Sequence, residues 1–277
     1  EVHPQQFGHL HFYPGNGAQT AMMYPYYYVK MLYDGLTSVG EKEVISLTRA
    51  AYPGSQKYGA AVWNGDIVSD WRALRQSVTS GLSMAMCGIP WWNSDIGGFL
   101  NGDTESEEFR ELLVRWFQFG LFSPIMRLHG DRKRTKDQPN PHPELMCKSG
   151  GPNEIWCFGE ENYETLKKLI ETREKLKSYT VKYMDIASKT GSPIMRPMFY
   201  DFYEDEICYT LEDQYMYGED ILFAPIILGR LRIPHIIGMI LAGVVVGKYG
   251  FNILERDSSF ELFGKVGIYY IMFLAGL

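Results

Sequence analysis

Seven side chains able to bind or cut a polar molecule recur just past short apolar runs of this 277-residue chain. Arg49 follows VISLT (44–48). Trp63 and Asp66 lie in AVWNGD (61–66), Asp95 and Phe99 in WWNSDIGGF (91–99), and Arg127 and His129 in IMRLHG (125–130). An acid placed like Asp66, directly after a glycine, is either a turn former or one of a pair of acids that exchange protons with a breaking bond. Aromatic faces stack on apolar ring faces, while carboxylate, imidazole and guanidinium groups hydrogen-bond hydroxyls. The mixture suits a neutral sugar. Each residue also has a plainer reading. Asp95 could close an Asx turn before Gly97 and Gly98, Arg49 could be a strand-end surface charge, His129 a satisfied core histidine, and Trp63 and Phe99 packing.

The elements that must hold these residues alternate in type. VISLTRA (44–50) has strand length, and SDWRALRQSVTSG (69–81) sets Trp71, Leu74 and Val78 at helical spacing. LSMAMCGIPWW (82–92) reads as a second buried strand, with Trp91 and Trp92 as packing. In TESEEFRELLVRWFQFG (104–120), Thr104 and Glu107 have the spacing of a capping box, and Phe109, Leu112, Leu113 and Trp116 share a face. FSPIMRLHG (122–130) and PIMRPMF (193–199) are two further candidate strands. Glu161 to Lys189 predicts one long helix with Leu166, Leu169, Ile170, Leu176 and Tyr183 inward, stopped by Gly191 and Pro193. MMYPYYYVKMLY (22–33) predicts an aromatic helix face in the core, and GDRKRTKD (130–137) a solvated loop. Strands alternating with helices predict parallel βα units and an α/β fold. In a (β/α)8 (TIM) barrel, residues following the strands build the site.

The net charge of −6 excludes a nucleic-acid partner, which needs a basic face. Cys87, Cys147, Cys157 and Cys208 lack zinc spacing and read as reduced, buried thiols of a cytoplasmic protein. His9 and His11 have no acidic or cysteine neighbour, so neither a metal nor another cofactor is expected. The chain opens on Glu1 without a basic-then-apolar leader, which leads to the expectation of a fragment. Composition changes near residue 228: every tryptophan precedes it, and the remaining stretch is rich in Gly, Ile, Val and Leu. Residues 1–228 and 229–277 are therefore read as two unlike pieces.

Residues 1–228 resemble glycoside hydrolase family 31, the retaining α-glucosidases and α-xylosidases. The resemblance rests on LTRAAYPGSQKYGAAVWNGDIVSDW, GIPWWNSDIGGF, WFQFGLFSPIMRLHG, GSPIMRPMFYDF and DQYMYGEDILFAP, in the family's order and roughly its spacing. It implies the C-terminal half of a (β/α)8 barrel, a partial catalytic domain acting on an α-linked glucoside or xyloside. By matched position, Asp66 becomes the general acid/base, protonated when it acts as an acid. Arg49, Trp63, Asp95, Phe99, Arg127 and His129 line the pocket of the sugar that is cleaved off. The partner carboxylate, a nucleophile about 5 Å away that forms a glycosyl-enzyme, would fall just before Glu1. The β-sandwich expected after the barrel would be missing. This chain is thus expected to be inactive alone.

RIPHIIGMILAGVVVGKYGF (232–251) has an uncharged run from Ile233 to Gly247, and Gly238, Ala242 and Gly243 suit close helix packing. VGIYYIMFLAGL (266–277) begins a second apolar run. Residues 229–277 resemble the first membrane helices of the monovalent cation:proton antiporter family, which implies a short α-helical membrane-type segment and membrane association through 232–277. That resemblance leaves two alternatives to the hydrolase fragment: an antiporter fragment, or a membrane-tethered inactive sugar binder. No Gly-, Ser- or Pro-rich linker separates the pieces at FAPIILGRL (223–231), and a chimeric reading frame is the leading account of the junction.

Overall fold

The computed structural model describes residues 4–133 and 150–224, within one compact unit that ends at Ala224. The apolar segments at 232–251 and 266–277, and Cys147, lie outside the described residues. Helix α1 (Tyr24–Ser38) carries Pro25 in its first turn, where no backbone N–H is required. Strands β1 (Ser46–Thr48), β2 (Ala60–Trp63) and β3 (Trp92–Asn93) pair in parallel in that order, with Ser46 opposite Ala60 and Val62 opposite Trp92. Strands β4 (Asp95–Ile96) and β5 (Arg127–Leu128) make a second parallel pair, with Asp95 opposite Arg127. Only Ser94 separates β3 from β4, so the two ladders share one chain direction. Parallel pairing requires long crossovers. Helices α2 (Trp71–Met86) and α3 (Glu107–Leu121) supply two of them.

The crossover helices differ from their sequence-based outlines in instructive ways. Asp70 caps α2, its Oδ1 accepting from the Ala73 N–H at 2.7 Å. The helix then runs five residues past Gly81, so LSMAM is helix and not strand. An apolar run of that length fits either state by periodicity, and Leu82 and Ala85 continue the buried face set by Ala73, Ser77, Val78 and Gly81. α3 starts at Ser106, whose Oγ accepts from the Phe109 N–H; Thr104 is buried, and its carbonyl is held by Arg110 Nε at 2.7 Å. The predicted face of Phe109, Leu112, Leu113 and Trp116 is buried in the main core.

Beyond the second ladder, the helix predicted as one piece is two, α4 (Glu160–Lys175) and α5 (Lys177–Thr190), separated at Leu176. The break comes after Arg173, whose guanidinium donates to the carbonyls of Leu121, Ser123 and Pro124 and to Tyr217 Oη. Leu166 and Tyr183 are buried, but Ile170 is exposed. Gly191 ends α5 with φ +81°, a left-handed conformation that favours glycine. PIMRPMF is not a barrel strand. Its strand β6 (Met195–Pro197) pairs antiparallel with β7 (Tyr215–Tyr217), which pairs antiparallel with β8 (Ile221–Phe223).

Two further expectations are corrected. Helix α1 has apolar residues on two stripes, and only the one with Val29 is covered, flanked by Tyr26 and Tyr33 against Tyr58. Tyr24, Tyr27, Tyr28 and Met31, spaced i, i+3, i+4 and i+7, are exposed. Cys87 is also exposed, because it follows the last turn of α2 instead of lying in a strand. Among the described residues β1 is an edge strand that pairs only with β2, and Ile45, just before it, and Leu47, within it, are exposed.

The cap of α2, the helix that comes after the Asp66 loop, is open to direct measurement. Asp70→Ala should cost about 1 kcal/mol in urea unfolding. An unchanged midpoint would show that the cap contributes nothing.

Candidate active site

All seven residues singled out by type and spacing come from the ends of these strands. Arg49 directly follows β1, Trp63 closes β2, and Asp66 lies three residues on. Gly65, in the left-handed region at φ +76°, turns the chain between them. Asp95 opens β4, and Phe99 comes after the turn at Gly97 and Gly98, whose φ values are +87° and +73°. Arg127 opens β5 and His129 follows it.

Five of the side chains form one connected array, and the other two pack on each other. Arg49 and Asp66 make an ion pair, both partly open to solvent. Arg127 and Asp95 make a second pair across the β4–β5 register, with the Asp95 side chain at 0% exposure. Trp63 joins the two pairs: the guanidinium carbons of Arg49 and Arg127 each lie 5.7 Å from its ring centroid. Phe99 and His129 pack ring to ring at 5.4 Å.

Burial pushes the Asp95 carboxyl above the ordinary carboxylate range, and the negative charge of Asp66 adds to the rise. Arg127, His129 and Arg132 draw it back in part. One oxygen of Asp95 meets Arg127; the other, Oδ2, is buried with no hydrogen-bond partner among the described residues. An acceptor in that state is suited to a hydroxyl donor.

Two residues escaped the sequence reading. Asn93 is fully buried, accepts from Arg127 Nε at 3.1 Å and donates to the Val62 carbonyl at 3.2 Å, so it braces Arg127 against β2. Its place two residues before Asp95 was the available signal. Arg132, expected in a solvated loop, is 1% exposed and lies beneath the Asp95–Phe99 turn. Its charged neighbours along the chain hid it. Trp92 sits in the main core and Trp91 packs against it. Among the described residues, no three His, Cys, Asp or Glu side chains gather into a metal-sized group, and no helix is long and apolar enough to cross a membrane.

Known proteins share this arrangement of sequence and fold. Residues 3–183 match the glycosyl hydrolases family 31 TIM-barrel domain, and residues 191–231 match the glycosyl hydrolase family 31 C-terminal domain. Strands β6 to β8 fall in the second match. Residues 221–277 match a sodium/hydrogen exchanger, transmembrane family. An α-xylosidase of Saccharolobus solfataricus is 36% identical over 214 residues, covering 77% of this chain and 27% of that protein. A crystal structure of an α-xylosidase from a soil metagenome, complexed with xylose, superposes with a TM-score of 0.71 at 42% identity, covering 79% of this chain and 33% of that one. A Flavobacterium johnsoniae dextranase complexed with glucose gives 0.68 at 30% identity, covering 80% of this chain and 26% of that one. The chain spans about a quarter of the length of the curated relatives it matches.

The Asp95 pair makes stability depend on pH in a defined direction. The folded state holds the Asp95 proton more tightly than the unfolded chain. This group's contribution is therefore greatest below the unfolded carboxylate value and declines as pH rises through the raised folded one. Arg127→Met should cost about 2–3 kcal/mol at neutral pH, below the penalty of breaking a fully buried pair because Arg127 keeps some solvent. The deficit should shrink as acid neutralises Asp95. Urea midpoints at neutral and acidic pH check this, and a deficit independent of pH would refute it.

Proposed function

Because the chain belongs to glycosyl hydrolase family 31, we propose that its strand-end array holds an α-linked xyloside or glucoside at a retaining α-glycosidase site. The observation that carries this is that seven polar and aromatic side chains lie at the ends of parallel strands, five of them linked through Trp63 and two, Phe99 and His129, packed ring to ring. Asp66 is the general acid/base. It protonates the leaving oxygen, and its carboxylate then takes a proton from the attacking water. Arg49, its ion-pair partner, orients it. Asp95 takes a sugar hydroxyl on its unpartnered Oδ2, Arg127 fixes Asp95, and Trp63, Phe99 and His129 shape the wall against the ring.

A retaining mechanism needs a second, attacking carboxylate about 5 Å from the acid/base. Asp95 is unsuited to that role, because it is fully buried and committed to Arg127. Among the seven site residues no carboxylate is free for that role, so the described site is expected to bind the sugar without cleaving it. Saturation-transfer NMR with methyl α-D-xylopyranoside and methyl α-D-glucopyranoside should show binding, weakened about tenfold, or 1.4 kcal/mol, in Asp95→Asn. No binding of either sugar would overturn the site reading. Turnover of 4-nitrophenyl α-D-xyloside that disappears in Asp66→Asn would overturn the expected inactivity.

The exchanger match favours a second statement, about the tail. Residues 221–231 are matched by both the hydrolase and the exchanger families. Residues 221–223 nevertheless form β8 of the antiparallel sheet, paired with β7. We infer that the hydrolase sequence runs at least to Ala224 and that an exchanger-type sequence, with membrane association belonging to it, is joined to it directly after. A chimeric joining of two parent sequences is the favoured origin. Single-molecule sequencing of source nucleic acid across codons 200–260 should find no molecule spanning the junction. Intact spanning molecules would establish a true fusion.

A further inference from the structure

Arg132 is a buried cation whose contacts are unlike those of the other arginines at the site. Arg49 and Arg127 each face a carboxylate. The Arg132 hydrogen bonds instead go to backbone carbonyls and an amide: Nη1 to the Gly98 carbonyl at 2.8 Å, Nη2 to the Ile96 carbonyl at 3.0 Å, and Nε to Asn153 Oδ1 at 2.7 Å. The two carbonyls bracket Gly97, so one planar group grips both sides of the turn that links Asp95 to Phe99. The Phe109 ring lies 5.0 Å from the guanidinium carbon.

The chain leaves room for this group by omitting side chains around it. A Cβ on Gly97 would stand 2.8 Å from Nη2, one on Gly102 2.6 Å from Nη1, and one on Gly130 2.4 Å from Nη1. These glycines come from both loops that Arg132 joins. The backbone continues the connection: Asp131 N–H donates to the Phe99 carbonyl at 2.8 Å and Lys133 N–H to the Gly102 carbonyl at 3.0 Å. Desolvation brings the Arg132 guanidinium down to about 10, while Asp95 and Asp131 pull it back up.

We propose that Arg132 is a positioning residue: it fixes the loop bearing Asp95 and Phe99 against the loop bearing His129, and so sets the spacing of one wall of the sugar site. The group acts through those loops and need not touch the ligand. A forked guanidinium suits this place, because its fixed planar donors meet both carbonyls and Asn153 at once, which a single ammonium does not reproduce. The inference about the wall's purpose rests on the sugar-binding reading above, whereas its geometry does not.

The test is made on the full chain with Arg132→Lys and Arg132→Ala. Arg196→Met is the control, because Arg196 is equally buried but sits on β6 with Asp201 and Glu219 as partners. The first readout is the NMR shift of the His129 ring protons, identified through His129→Gln and set by the adjacent Phe99 ring. Arg132→Lys should move it, and Arg196→Met should not, even where both lower the melting temperature equally. Millimolar methylguanidinium added to Arg132→Ala should restore it, which a general loss of packing would not allow. The second readout is α-xyloside affinity, expected to fall about tenfold in Arg132→Lys and, in Arg132→Ala, to recover with the same additive. A His129 signal unmoved in folded Arg132→Lys and Arg132→Ala overturns the proposal. If the parent chain binds no sugar, the proposed function fails, while the His129 readout still decides the role of Arg132.

Discussion

A carboxylate without solvent exposure is the constraint around which this region is arranged. Asp95 is placed by β4 opposite Arg127 on β5, and the parallel register brings the two together. Burying an acid is costly unless a partner and hydrogen bonds offset it. That cost accounts for much of what surrounds it: Asn93 bracing Arg127 from β3, Trp63 spanning two guanidinium groups, and Arg132 contributing positive charge from beneath. One acceptor oxygen is still unpartnered among the described residues.

In the function proposed here, two arginine–aspartate pairs with different exposure divide the chemistry. The Arg49–Asp66 pair is partly open to solvent and lies on a turn that Gly65 makes possible. The Arg127–Asp95 pair has its carboxylate sealed. A proton-transfer acid has to meet both water and a leaving group, and the open pair can do so. A hydroxyl-binding acid gains from a fixed, dry position, which the sealed pair provides. The guanidinium carbons of both arginines lie 5.7 Å from the Trp63 ring centroid, so one indole faces both pairs.

Local chemistry in the sequence was enough to pick out the candidate residues as a set, because their types recur just after strand-length apolar runs, and the structure places them at the ends of β1, β2, β4 and β5. The crossover face of Phe109, Leu112, Leu113 and Trp116 was equally legible from its helical spacing. The features that could not be read were set by long-range contacts. LSMAM is apolar in a way that suits strand and helix alike, and its helical state comes from continuing the buried face of α2. Leu176 carries no breaker signal, yet the helix ends there after Arg173 binds three carbonyls from a distant turn. Arg132 sat in a run of charges, and only three-dimensional placement reveals the glycine-lined space it occupies.

The outer side of β1 has a consequence for the isolated polypeptide. Among the described residues it pairs with β2 alone, and Ile45 and Leu47 stand uncovered beside its free backbone groups. No proline interrupts VISLTRA, and its first charge comes only at Arg49. Unprotected edges of this kind recruit further strands, including those of identical molecules. Concentrated solutions of this chain should therefore self-associate through edge-to-edge pairing of residues 44–48, and a lysine at Leu47 would be the smallest change that blocks it.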